Sequence, residues 1–170
     1  MTTITIEKTA TPNGLDARVL SRVLEEGYGP GAWHGPDLKA ALADVTPDLA
    51  FWRPAPGRHN IAHNIAEIAL HHAYTLRSVR GQLSGTSPEP FALEGDDWFP
   101  AEPNGLSWPE IQSILETEQG RLADVVSGLA ENRVKSPKPD ADRFDLILGI
   151  TCHAVYHAGQ VQLLKRLNAG

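Results

Sequence analysis

The fold of this chain can be approached from residues 149–167, which read GITCHAVYHAGQVQLLKRL. Apolar residues recur there at helical spacing, so the stretch is predicted to form a long helix. His153 and His157 are four residues apart, which puts both imidazoles on one face of that helix, one turn from each other. Such a pair is a preorganised half of a site for zinc, nickel or iron. The alternative for the pair alone is two partly buried histidines bonded to backbone or water.

Helical periodicity appears in three further segments, and no segment alternates in the manner of a β-strand. Ser107 followed by Glu110 is a capping-box pattern, and Gly85 is a C-terminal stop signal. Long helices are predicted over residues 13–27, 60–83, 107–129 and 142–168, with short helical turns over 38–43 and 46–51. Four long helices without a sheet indicate an all-α protein, a four-helix bundle formed by one domain over residues 1–170.

Two stretches lack this periodicity. Residues 1–12 are predicted to form a loose N-terminal arm, and residues 86–106, which contain four prolines, a long surface loop. Trp98 and Phe99 are expected to anchor that loop. Long loops in compact domains often serve function, so this one is a candidate border of a site.

Composition excludes several classes of protein. The formal net charge of −6 argues against a nucleic-acid-binding surface, which normally needs a basic stripe. No apolar run approaches the roughly 20 residues of a membrane span, and the first residues do not resemble a signal peptide. Cys152 is the single cysteine, so no disulfide can form within the chain. We therefore expect a cytoplasmic protein without nucleic-acid or membrane partners.

A third metal ligand would have to come from another helix, and His71 and His72 are the candidates. His72 falls in the middle of the apolar stripe of the second long helix, whereas His71 lies at its margin. A lone histidine on an apolar stripe is more often a core residue than a ligand. Periodicity alone leaves the choice between the two open. His59 and His63 also form a pair at a spacing of four, and solvated residues at the start of the helix are the simpler interpretation of both.

These motifs resemble those of DinB/YfiT-like proteins. CHAVYHAGQVQLLKRL is similar to the C-terminal signature of that family, in which a histidine pair is followed by Gly-Gln and a Leu-Lys run. WRPAPGRHN and HNIAEIALHHAYTLRSVRGQLSG resemble its second-helix signature, YGPGAWHGPDL the exit of its first helix, and GDDWFP its central loop. The resemblance covers nearly the whole chain. RHNIA followed by a second HNIAE departs from the family pattern as an apparent insertion of four residues.

The resemblance implies a four-helix bundle that binds one divalent metal ion, zinc, nickel or iron, through three histidines. Aligned on Gly85 and on the C-terminal signature, these ligands fall on His71, His153 and His157. His72 is then the anomaly, because that position is usually apolar in the family. If the repeated HNIA shifts the register, His63 replaces His71. The resemblance also implies a homodimer and a small-molecule substrate.

Three neutral imidazoles leave a metal ion open to water or substrate, as in catalytic sites. Two activities follow: a thiol S-transferase, in which a low-molecular-weight thiol attacks a small electrophile, and a hydrolase that uses metal-activated water. The first is preferred because relatives are linked with thiol-dependent transfer. A non-catalytic, metal-stabilised dimeric binding module is the third alternative.

Three further side chains are weak catalytic candidates. Gln160 lies one turn beyond the histidine pair, where it could bond a ligand or bound water, and a solvated or interhelical glutamine is the alternative. Glu67 lies one turn before His71, where it could act as a general base; an exposed carboxylate is the alternative. His34 lies in a turn, either over the mouth of the site or bonded locally.

Overall fold

The computed structural model describes residues 17–54, 63–91, 93 and 105–170. These residues form six helices and no strand, so the all-α prediction is confirmed for this part of the chain. The helices are α1 (Ala17–Tyr28), α2 (Leu38–Leu42), α3 (Pro47–Phe51), α4 (Ile65–Ser84), α5 (Trp108–Ala130) and α6 (Asp140–Ala169). The predicted N-terminal arm, His59, Trp98 and Phe99 lie outside the described residues.

Local capping signals set several of the helix ends. Before α5, the carboxylate of Glu110 accepts a hydrogen bond from the backbone N–H of Ser107 at 2.7 Å, as the capping-box pattern predicts. At the end of α4, Gly85 adopts φ +70°, a left-handed conformation that glycine reaches without strain, and its N–H bonds to the carbonyl of Gly81. Each of these helix ends is determined by residues within four positions of it.

The predicted start of α4 at residue 60 is wrong. Residues 63 and 64 are not helical, and the helix begins at Ile65 behind the N-cap Asn64. Oδ1 of Asn64 accepts from the N–H of Glu67 at 2.8 Å, and Oε2 of Glu67 accepts from the N–H of Asn64 at 3.0 Å. Of the two HNIA copies, only the second is followed by a glutamate at the position that completes this reciprocal cap.

The four longer helices pack side by side around one core. α4 contacts both α5 and α6, and α1 contacts both of these helices as well. The apolar stripes predicted for α4 and α6 face this core, with Ile68, Leu76, Ile147 and Leu164 no more than 1% exposed. α2 packs on α6 and α3 on α4. No helix in the described ranges is both long and apolar enough to cross a bilayer.

Four charged side chains form a group that we call the ion cluster. Arg80 lies 3.1 Å from Glu89 and 3.4 Å from Glu118, while Arg121 contacts the same two carboxylates from α5. The side chains of Arg80 and Glu118 are 13% and 7% exposed, whereas those of Arg121 and Glu89 are nearly half exposed. The cluster fastens α4 to α5 and to the segment that follows α4.

Candidate metal centre

The packing of α4 against α6 brings together three histidines that are distant in the chain. Nε2 of His153 lies 3.2 Å from Nε2 of His71 and 3.1 Å from Nε2 of His157. The ring centroids of His153 and His157 are 4.2 Å apart, and that of His71 lies 5.1 and 5.5 Å from them. We call these three residues the histidine cluster.

The spacing of the three rings suits a single metal ion. One ring nitrogen from each histidine lies within 4.8 Å of the corresponding nitrogens of the other two. Zinc bonds to histidine nitrogen at roughly 2.0–2.1 Å in tetrahedral sites, which puts two ligand nitrogens about 3.3 Å apart. The separations of 3.1 and 3.2 Å are close to that value. The three side chains could therefore hold one ion without large movement of either helix.

Burial keeps two of these rings neutral. Burial, reinforced by the neighbouring ring of His71, lowers the pKa of His153 to about 4. Burial also lowers the pKa of His157 to about 4, against the opposing effect of its hydrogen bond with Gln160. A neutral imidazole offers the lone pair that a metal requires, and at pH 7 no proton has to be displaced from these rings.

The outer nitrogen of His157 is held by Gln160. Nδ1 of His157 lies 2.6 Å from Oε1 of Gln160, whose amide nitrogen donates in turn to the hydroxyl of Tyr156 at 3.1 Å. Because an amide oxygen can only accept, His157 donates its single ring proton here and presents the lone pair of Nε2 to the histidine cluster. Gln160 therefore orients His157, a role that such outer partners commonly have at metal sites.

His72 is completely buried and lies beside the histidine cluster, on the far side of His153. Its Nδ1 is 2.9 Å from Nδ1 of His153, whereas the other ring nitrogen of His153, Nε2, faces His71 and His157. Burial, followed by the nearby rings, lowers the pKa of His72 well below its usual range. Periodicity left the choice between the adjacent histidines open, and the geometry answers it. A ring nitrogen of His71 lies within 4.8 Å of ring nitrogens of both His153 and His157, whereas His72 hydrogen-bonds the outer nitrogen of His153 and lies edge-on to His157.

The remaining candidates have other contacts. Glu67 is 5% exposed rather than solvated, and besides completing the cap of α4 it accepts two hydrogen bonds from the guanidinium of Arg53. His63 lies 3.4 Å from the same carboxylate through Nδ1. His34 is exposed, with Nε2 3.0 Å from the carbonyl oxygen of Glu26. No hydrogen bond in the described part of the chain joins His34 or Glu67 to the histidine cluster.

The contact between His157 and Gln160 and the contact between His72 and His153 were not predicted from the sequence, although each had a signal there. The pair His157 and Gln160 has the three-residue spacing at which helix side chains meet. His72, a polar residue in the middle of an apolar stripe, required a buried hydrogen-bonding partner. The second signal does not name the partner, because the partner of His72 is on a different helix.

Comparison with known proteins identifies the type of chain. A family model described as the DinB superfamily matches residues 32–161, which is most of the chain and includes all three members of the histidine cluster. No curated protein and no solved structure gives a significant match.

Proposed function

The chain belongs to the DinB superfamily, and on that premise we propose that His71, His153 and His157 bind one divalent metal ion for a thiol S-transferase reaction on a small electrophile. The observation that carries the proposal is the convergence of three ring nitrogens from two helices. We extend the proposal to the overall architecture: α1, α4, α5 and α6 form the four-helix bundle of the DinB type.

The charge of the site supports a reaction with an anionic reactant. All three proposed ligands are neutral side chains, so the ion would keep its full positive charge. Zinc, nickel and iron all accept such a set. A divalent ion held in this way supplies Lewis-acid activation, which lowers the pKa of a thiol or of water at the open coordination position.

The surroundings favour a thiol over water as the reactant. Metal-dependent hydrolysis is commonly assisted by a carboxylate that acts as a general base. Glu67, the carboxylate predicted as a general base, is already engaged by Arg53 and by the helix cap. Thiol transfer needs less: the thiol proton is released to solvent, the sulfur forms a bond to the electrophilic carbon, and the leaving group departs with the electrons of its own bond.

The proposal is tested with protein purified without an affinity tag. Metal content is measured first, and the protein loaded with zinc, nickel or iron is then assayed with cysteine, glutathione or coenzyme A against an aryl halide and an epoxide. We expect about one ion per chain and a rate that requires both thiol and metal. His153→Ala is expected to abolish both, while His34→Ala, which removes an exposed histidine, retains one ion per chain.

The other outcomes identify the rival functions. Ester or amide hydrolysis that proceeds without thiol would replace the transferase with a hydrolase. Stoichiometric metal without turnover across the panel would indicate a metal-stabilised binding module. Protein that retains no metal under any of these conditions would contradict the proposal at its base.

We also propose a homodimer, as the family resemblance implies. α6 carries exposed apolar side chains along one line, namely Leu148, Tyr156 and Leu163, with exposed Cys152 between the first two. Spacings of four and seven residues put them on the same face of the helix. Sedimentation should show a dimer that Leu163→Glu converts to a monomer, and a monomeric wild-type chain would contradict it.

A further inference from the structure

His72 contacts His153 in a manner that only a hydrogen bond explains. The two Nδ1 atoms are 2.9 Å apart, the ring planes are inclined by 25°, and the centroids are 5.1 Å apart. The centroid distance exceeds the nitrogen distance by about two ring radii, so the imidazoles meet edge to edge, close to a common plane. This is the geometry of one N–H pointing at one lone pair.

The proton between the two rings determines what His153 offers to a metal. A neutral imidazole has one N–H and one lone pair. If His72 were the donor, the proton of His153 would be on Nε2, directed at His71 and His157, and no lone pair would face the histidine cluster. If His153 is the donor, its Nε2 presents a lone pair to the cluster, as Nε2 of His157 does.

We propose that His72 is a positioning residue that accepts the Nδ1–H of His153 and thereby holds Nε2 of His153 ready for metal. This inference rests on the proposed metal function, and it gives a role to a completely buried histidine that is not among the proposed ligands. It also assigns the remaining proton: His72 carries it on Nε2, a fully buried atom without a hydrogen-bonding partner among the described residues.

Under this assignment the buried N–H of His72 costs stability, because it has no acceptor among the described residues. His72→Leu removes that N–H and keeps an apolar side chain in the core. The metal-free variant should melt close to the temperature of the wild-type protein, because the gain from removing this N–H is offset by the loss of the acceptor for the Nδ1–H of His153. Its Zn²⁺ affinity should fall by about 10–100-fold, the effect typical of losing an outer partner of a ligand.

The experiment compares wild-type protein, His72→Leu and His72→Asn by competition for Zn²⁺ against a chromogenic chelator. The asparagine side chain of the last variant would offer its amide oxygen near the position of the original acceptor nitrogen, so we expect an affinity within about threefold of wild type. Nitrogen NMR of ¹⁵N-histidine-labelled, metal-free wild-type protein should show His153 protonated on Nδ1, and His72→Leu should lose this preference.

The outcomes distinguish the two levels of the proposal. Equal Zn²⁺ affinity in the wild-type protein and His72→Leu, or a wild-type His153 protonated on Nε2, would overturn the role of His72 and leave the metal site standing. Failure of the wild-type protein to bind Zn²⁺ would overturn the proposed function and, with it, the effect of His72 on affinity.

Discussion

Two polar clusters, each partly buried, join α4 to its neighbours, and they balance their polar groups in opposite ways. In the ion cluster, two guanidinium groups face two carboxylates, so donors and acceptors of opposite charge neutralise one another. In the histidine cluster, neutral rings turn nitrogens of the same kind toward one another. The charges of the first arrangement are therefore balanced within the protein.

The second arrangement has no opposite charge of its own, and the proposed metal ion would supply it. With its proton donated to Gln160, His157 has only a lone pair to direct at His153, and the proposed contact with His72 gives His153 the same character. Lone pairs that converge repel one another unless a positive group lies between them. The comparison teaches that burial alone does not separate a structural cluster from a functional one, whereas the match of donors to acceptors does.

One of the two largest expected effects is on the ion cluster. Glu118→Ala leaves the mostly buried guanidinium of Arg80 with Glu89 alone, so the free energy of unfolding should fall by about 3 kcal/mol, the low end of the range for a broken buried ion pair. Arg121→Ala removes a half-exposed partner from the same cluster and should cost less than about 1 kcal/mol. Urea denaturation measures both free energies of unfolding. Equal losses in the two variants would contradict the prediction that the more buried side chain contributes more.

Acid should destabilise the metal-free protein through the histidine cluster. His153 and His157 have pKa values of about 4 in the folded protein, below the usual value of 6.5. Between these values the unfolded chain binds more protons, so the free energy of unfolding falls as pH is lowered from about 6.5 to about 4. We expect a loss of about 3 kcal/mol, less than the full sum of the two shifts because His153 is partly exposed to solvent.

Urea denaturation at several pH values measures this slope. His153→Asn combined with His157→Asn should reduce it, with His72, whose pKa is also lowered by burial, contributing to the part that remains, while His34→Asn should leave it unchanged. A slope of the same size in the double variant would assign the acid sensitivity to another part of the molecule.

Zinc should have a somewhat smaller stabilising effect, and only through the histidine cluster. At a free concentration 100 times Kd, a ligand that binds only the folded state adds about 2.7 kcal/mol to the free energy of unfolding. Glu118→Ala should gain the same increment as the wild-type protein, because the ion cluster is not part of the site. An increment that survives His153→Ala would place the zinc elsewhere.

Most of the fold could be predicted because its signals are local. The cap at Ser107 and the stop at Gly85 each involve residues within four positions, and the apolar stripes of α4 and α6 follow from helical spacing alone. The predicted start of α4 was wrong because HNIA occurs twice, and only the glutamate three residues after Asn64 distinguishes the two copies.

The site could be predicted only in part. The pair His153 and His157 is visible in one helix. The assignment of His71 over His72 came from the family resemblance, because helical spacing does not show which of the two side chains meets the histidines of α6. The buried carboxylate of Glu67 was missed for the same reason: its partner Arg53 is fourteen residues away, before the helix begins.

X-ray absorption at the zinc edge tests the metal centre most directly, using tag-free protein loaded with one equivalent of Zn²⁺. We predict one zinc per chain with three histidine nitrogens at roughly 2.0–2.1 Å, and loss of this shell in His153→Ala. A zinc ion bound through the sulfur of Cys152 or through carboxylates alone, or a shell that is the same in wild type and His153→Ala, would contradict the proposed site.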